Sequence, residues 1–217
     1  MESEEISMSS REQILGKIRK SLGRGALSGE QISVLEARLA TPPLHEQPQV
    51  NTDLVQQFTQ KLQKVGASFS DVENASLIPF ALMALLKEWK LPLQVVIDAH
   101  LQALPWTEEV QYAVRAAQDS DKVSVTEAFA AVAETGTVAL LSSHSPTTLN
   151  FLPETHIVIV HRTQITANLE SIWEKLRQQA MPRTVNLITG PSRTADVEQT
   201  IQLGAHGPRR LHVILVG

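Results

Sequence analysis

The 217-residue chain contains no cysteine. That excludes disulfides, thiolate zinc sites, cysteine nucleophiles and cysteine-ligated iron–sulfur clusters held by this chain. Any electrons it handles must travel on a cofactor or a partner. Aromatic residues make up only 4 %, so the core has to be aliphatic and alanine-rich. No run of about 18 apolar residues occurs, so no helix is expected to span a membrane. Residues 1–10 are acidic and polar and lack an apolar signal core, so a cytoplasmic protein is expected. Lys and Arg total 19 against 23 Asp and Glu, a net charge of −4. A balance this close to neutral lacks the basic field that non-specific nucleic-acid binding needs. What remains is ordinary globular composition, 42 % hydrophobic and 19 % charged. The length suits one domain of moderate size with an appendage.

The appendage comes first. Ser9 with Glu12, and Ser10 with Gln13, have capping-box spacing. Ile14, Leu15, Ile18 and Leu22 then fall on one helical face, flanked by Lys17, Arg19 and Lys20, and Gly23 and Gly25 end the run. Such a basic amphipathic helix can bind a membrane surface or a partner; the plainer reading is a peripheral helix docked on protein. A second helix is predicted over 30–39, followed by a proline-rich linker over 41–50. Residues 1–50 are therefore read as a helical arm and 51–217 as the main domain.

Within the domain, helices are predicted over 54–65 and 77–89, and strands over 93–97, 123–125, 137–141, 157–160, 184–188 and 211–216. The run Ile157 to Val160 does not alternate, so it reads as a strand covered on both faces. Helices predicted over 169–179 and 195–203 alternate with these strands. The class is therefore α/β, with a mostly parallel sheet between helical layers. Glu134-Thr135-Gly136 reads as a local hairpin turn inside that sheet.

Three segments can carry chemistry. Gly190-Pro191-Ser192-Arg193-Thr194-Ala195-Asp196 follows a strand and opens a predicted helix, which places it at the carboxyl edge of a parallel sheet. Backbone N–H groups, the Ser192 and Thr194 hydroxyls and the Arg193 guanidinium can hold an anion there; the same residues also make an ordinary helix N-cap. It is neither a P-loop nor a nucleophile elbow. In Glu134-Thr135-Gly136-Thr137, a partly buried Glu134 suits acid–base or nucleophilic work; a simple hairpin tip whose Glu and Thr hydrogen-bond the turn is the plainer reading. Gly204-Ala205-His206-Gly207-Pro208-Arg209-Arg210 is a shaped loop presenting His206 and Arg209, or merely a helix C-cap and turn. It precedes a strand, so it is expected at the amino edge, away from the other two. The polar loop 142–146 can cover a site. His144, His156 and His161 lack metal-ligand spacing, and no metal is expected. His45, His100 and His212 read as ordinary scattered histidines.

Taken together, Glu134-Thr135-Gly136-Thr137, Leu152-Pro153 with His156-Ile157-Val158, Gly190 to Asp196 and Gly204 to Pro208 resemble the lactate-utilization protein C family (LutC/YkgG, LUD domain). Residues 9–22 resemble that family's N-terminal helix. The resemblance implies a three-layer α/β/α sandwich similar to the sugar-phosphate isomerase and CoA-transferase group. It also implies a role in oxidising L-lactate to pyruvate alongside LutA-like and LutB-like iron–sulfur proteins, with the clusters on those partners. Its matching motif positions Thr135, Gly136, Thr137, Gly190, Ser192, Arg193, Thr194, His206 and Gly207 are candidate ligand contacts; the reading of the residues themselves adds Arg209 and makes Glu134 the candidate catalytic group. Two other readings stay open: a scaffold with a vestigial pocket, and a stand-alone transferase or isomerase acting on an acyl-CoA or sugar phosphate.

Overall fold

A computed structural model describes residues 9–23, 25–40, 46–194, 202–204 and 206–217. The chain forms two compact units, residues 1–46 and 47–217. In the first, helices α1 (Ser10–Ser21) and α2 (Gly29–Ala40) both start on reciprocal caps. The Ser9 hydroxyl accepts from the Glu12 N–H while the Glu12 carboxylate accepts from the Ser9 N–H, as the sequence predicts. Ser28 and Gln31 repeat the device for α2. Neither helix contains a buried residue.

The second unit contains α3 (Leu54–Lys64), β1 (Ser68–Val72), α4 (Ile78–Glu88), β2 (Gln94–Ile97), β3 (Gln111–Val114) and β4 (Val123–Glu127). These are followed by β5 (Ala130–Val132), β6 (Thr137–Leu141), α5 (Thr148–Phe151), β7 (Thr155–His161), β8 (Ile165–Thr166) and α6 (Glu170–Arg177). The last elements are β9 (Val185–Ile188), β10 (Arg193–Thr194), β11 (Gln202–Leu203) and β12 (Arg210–Val216). Six strands form an all-parallel sheet in the order β1-β12-β7-β4-β2-β3. The expected α/β class, with a parallel sheet flanked by helices, is what the chain adopts.

The central strands are covered on both faces, as their unbroken apolar runs require. Ile157, Ile159, Ile214 and Val216 pack with Val123 and Val125 against Ile78, Leu82 and Leu86 of α4. On the opposite face Val158, Val160, Val213 and Leu215 pack against Phe58 and Leu62 of α3 and against Ala131, Val138 and Leu140. Those last three belong to a second, four-stranded sheet, β8-β5-β6-β9. Its own far side is closed by Ile172 and Leu176 of α6.

That second sheet corrects two expectations. The hairpin β5–β6 is not inside the parallel sheet but lies against it, because both of its faces are apolar and each needs a cover. Strand β9 likewise leaves the parallel array and pairs antiparallel with β6. The helix predicted over 195–203 lies mostly outside the described residues, but Gln202–Leu203 is a strand, paired with Arg193–Thr194. The short helix α5 falls in a segment that reads as a polar loop; Ser124 holds it by donating to the Leu149 carbonyl at 2.6 Å. Among the described residues no helix is long and apolar enough to cross a membrane.

Candidate functional site

The rerouting of β9 decides where the motifs meet. Its register with β6 pairs Val138 with Ile188, which sets Thr137 opposite Thr189. Their hydroxyls lie 2.6 Å apart, and Thr135 extends the chain to Thr137 at 2.7 Å. The Glu134 turn and the Gly190 loop are thereby stitched together by three hydroxyls. Both also press on the end of α3. A Cβ at Gly136 would sit 2.6 Å from the Leu62 nitrogen, and one at Gly190 would sit 2.8 Å from the Val65 oxygen. Both glycines have positive φ, so only glycine fits these turns without strain. Arg193 completes the clamp, donating to the Val65 carbonyl at the C-terminus of α3.

The third motif joins at the other side of the same loop. The Ser192 N–H donates to the Pro208 carbonyl at 2.9 Å, and the Gly204 N–H donates to the Ser192 carbonyl at 3.0 Å. A Cβ on Gly207 would lie 3.2 Å from that of Ser192. The loop 206–209 does stand at the amino edge of the parallel sheet, since β12 begins at Arg210. It is not, however, apart from the other motifs. The Gly190–Ser192 loop comes to it there, rather than to the carboxyl edge expected of a parallel strand, because β9 belongs to the other sheet.

Between these loops is a cavity of about 230 Å³. Residues 187–192 and 206–208 form one side, and Asn150, Phe151, His156 and Leu211 form the other. An outer hollow of about 520 Å³ shares Phe151, His206 and Gly207 with it and adds Thr147, Thr148, Leu152, Glu154 and Arg209. Of the predicted contacts, Gly190, Ser192, His206 and Gly207 line the inner cavity, and Arg209 lines the outer hollow. Thr135, Gly136 and Thr137 stand behind the wall as its support. Glu134 is half-buried and not among the residues lining either space; its N–H donates to the Ala167 carbonyl at 3.0 Å. Arg193 is exposed and committed to α3. Thr194 is placed by its backbone in β10.

Two residues outside the predicted contacts belong to the wall. His156 is fully buried and 2.8 Å from the Thr126 hydroxyl through Nε2, while its Nδ1 has no partner. Asn150 is buried as well, and its Oδ1 also has no partner. Leaving such a group unpaired costs roughly 1–3 kcal/mol. Burial pushes the His156 ring down to about 3, so it is neutral at physiological pH. The signal for His156 was present in the sequence: it heads the strand run His156 to Val160, whose neighbours lie on covered faces. Nothing in the sequence marks Asn150.

A parallel α/β core carrying a second sheet, with two glycine-containing loops at a small cavity and a third glycine turn behind them, defines the class. The LUD domain profile matches residues 9–216, and the chain belongs to the LUD domain family. It is similar to lactate utilization protein C of Anoxybacillus flavithermus, 34 % identical over 86 residues that span 39 % of each chain. The protein of the same name from Bacillus subtilis is 36 % identical over 100 residues, covering 43 % of this chain and 42 % of that one. That from a Geobacillus species is 32 % identical over 127 residues, 55 % of this chain and 51 % of that one. These matches span about half or less of the relatives' lengths. A crystal structure of a DUF162 family protein from Deinococcus radiodurans shares the fold, with a TM-score of 0.60 at 24 % identity over 78 % of this chain and all of that one.

Proposed function

We propose that this chain is a cytoplasmic subunit of an L-lactate utilization system, in which L-lactate is oxidised to pyruvate together with LutA-like and LutB-like iron–sulfur proteins. Its own part is to bind a small anionic ligand in the cavity between residues 187–192 and 206–208. The observation that supports this reading is the convergence of two motifs, distant in sequence, on one space, with the 134–137 turn bracing one of them from behind. The names of the relatives supply the substrate class. The cavity suits it, because pockets for drug-sized ligands run to roughly 300–1,000 Å³ and about 230 Å³ takes something smaller. The Ser192 hydroxyl and the backbone of Gly190 and Gly207 are the polar groups beside the anion, and Arg209 gives the outer hollow a positive charge at its rim. With no cysteine in the chain, cysteine-held clusters would sit on the partners.

Arg193 favours a second reading. Its guanidinium donates to the Val65 carbonyl at the end of α3, which gives the residue a structural role. A scaffold that docks the iron–sulfur proteins without binding a ligand would need nothing more. Co-purification decides between the readings. The tagged chain, drawn from cells growing on L-lactate, is expected to bring iron–sulfur proteins with it and to gain thermal stability with L-lactate. Partners without any ligand-induced shift support the scaffold. Neither partners nor a shift, with turnover of an acyl-CoA by the isolated chain, overturns both.

A further inference from the structure

The parallel sheet ends on two edges of different character. A strand edge presents a row of main-chain N–H and C=O groups ready to pair with another strand, and proteins commonly guard it with charge, proline or a cover. Edge strand β1 carries a charge, Asp71, paired with Arg162. Edge strand β3 reads Gln-Tyr-Ala-Val, with neither charge nor proline. Tyr112 and Val114 stand 39 % and 40 % exposed on it. The Gln111 N–H donates to the Leu93 carbonyl, so Gln111 and Ala113 turn their main-chain groups toward β2. Main-chain groups alternate in direction along a strand, which points the N–H and C=O of Tyr112 and Val114 outward. Among the described residues no further strand takes them up, and the first compact unit offers helices only.

We propose that a second copy of this chain supplies the missing strand: β3 pairs antiparallel with β3 of the other copy across a two-fold axis at Ala113. That register sets Tyr112 of each copy opposite Val114 of the other, so each outward N–H meets an outward C=O. Tyrosine against valine is the aromatic and β-branched pairing that stabilises such ladders. Ala113 meets its own equivalent at the axis, where opposed Cα atoms approach to about 4.5 Å and a small side chain fits. Charge settles the direction. Glu108 and Glu109 precede β3 and Arg115 follows it. An antiparallel mate brings the acids of one copy toward the base of the other, whereas a parallel mate sets like charges side by side. The four residues of β3 bury less than the roughly 1,200 Å² of a standard interface, so the dimer is weak and concentration-dependent. None of these residues lines the cavity of the proposed anion site, and the pairing stands independently of it.

The lack of cysteine makes a cross-linking test clean. Ala113→Cys puts a single thiol at the axis, and a Cα separation of about 4.5 Å lies within disulfide range. Under mild oxidation the full chain carrying it is expected to form a covalent dimer on a non-reducing gel. That dimer should form at least tenfold faster than from Ser143→Cys, whose thiol sits on an exposed loop. Sedimentation of the native protein is expected to show a monomer–dimer equilibrium. Val114→Pro removes an outward N–H without touching the bonds to β2, and is expected to weaken the dimer at least tenfold. Cross-linking at position 113 no faster than at 143 overturns the pairing. So does a dimer of unchanged strength in Val114→Pro, or native protein that stays monomeric up to about 1 mM. The native sedimentation decides even if a variant fails to fold.

Discussion

Two buried histidines on neighbouring strands meet opposite fates. His156 on β7 pairs in register with Leu211, and the next residue along β12 is His212, so the two lie at nearly the same level of the sheet on opposite faces. On the α4 face, His212 is saturated. Ser68 lies 2.8 Å from Nδ1 and Ser70 3.0 Å from Nε2, both from edge strand β1. Trp89 meets the ring edge-on at 5.2 Å, and Arg210 caps that indole at 4.5 Å. On the other face, His156 has a single partner and a cavity. Burial is common to both, so burial does not mark the site. The two differ in pairing: both ring nitrogens of His212 have partners, whereas His156 pairs through Nε2 alone.

Acid is the strongest probe of what the two share. Histidine in an unfolded chain titrates near 6.5, whereas burial pushes His156 down to about 3, and burial assisted by the Arg210 charge pushes His212 down to about 4. Above the unfolded value both states are neutral at these rings and stability does not change on their account. Below it the unfolded chain takes up protons that the folded protein refuses, so stability falls by about 1.4 kcal/mol per pH unit for each ring. The loss stops near the folded value of each. Urea titrations between about pH 6.5 and about pH 4.5 should therefore show a loss of about 5 kcal/mol from the pair. A loss of about half that size would mean that one ring reaches solvent, and a flat profile that both do.

Substitution separates the two. His212→Leu strands two serine hydroxyls and loosens β1, and is expected to cost about 3 kcal/mol in a denaturant melt. His156→Leu strands one hydroxyl and removes an atom that was already unpaired, and is expected to cost about 1 kcal/mol or less. Equal costs would erase the distinction between a sealed seam and an open site. The glycines sharpen it further. Gly190→Ala forces a Cβ against the Val65 oxygen at positive φ, and should cost about 2 kcal/mol of stability. Gly207→Ala meets the Ser192 side chain at 3.2 Å and Phe151 at 4.0 Å, and should change stability by about 0.5 kcal/mol while weakening L-lactate binding several-fold in a calorimetric titration.

Much of the architecture was legible from pattern alone. Residues 157–160 and 211–216 announced buried strands by their lack of alternation, and α3 announced its end at Gly66, where the Ala67 N–H closes back on the Leu62 carbonyl at 3.2 Å. The segments that gather at the site were legible too, since glycine, proline, serine and threonine concentrate there. Their arrangement was not. Strand β9 is as apolar as a parallel core strand, and nothing in Val185 to Ile188 says that its partner is β6. The expectation that Arg193 faces a ligand failed to anticipate a competing acceptor, the last-turn carbonyl of a helix some 128 positions away in sequence. Asn150 was invisible because a short polar helix and a polar loop share one composition.

Local chemistry along the chain was sufficient to determine the main core strands and the longer helices, where the turns must be glycine, and that no thiol is available for metal or redox work. Those properties depend on near neighbours, and near neighbours are what a sequence lists. Tertiary structure alone decided that the 134–137 turn braces a wall formed by the 189–192 and 206–208 loops, and that His156 keeps one ring nitrogen unpaired while both of those on His212 are paired. Pairing partners and leftover hydrogen-bond capacity are relations between distant segments, settled only when two sheets must cover each other's apolar faces.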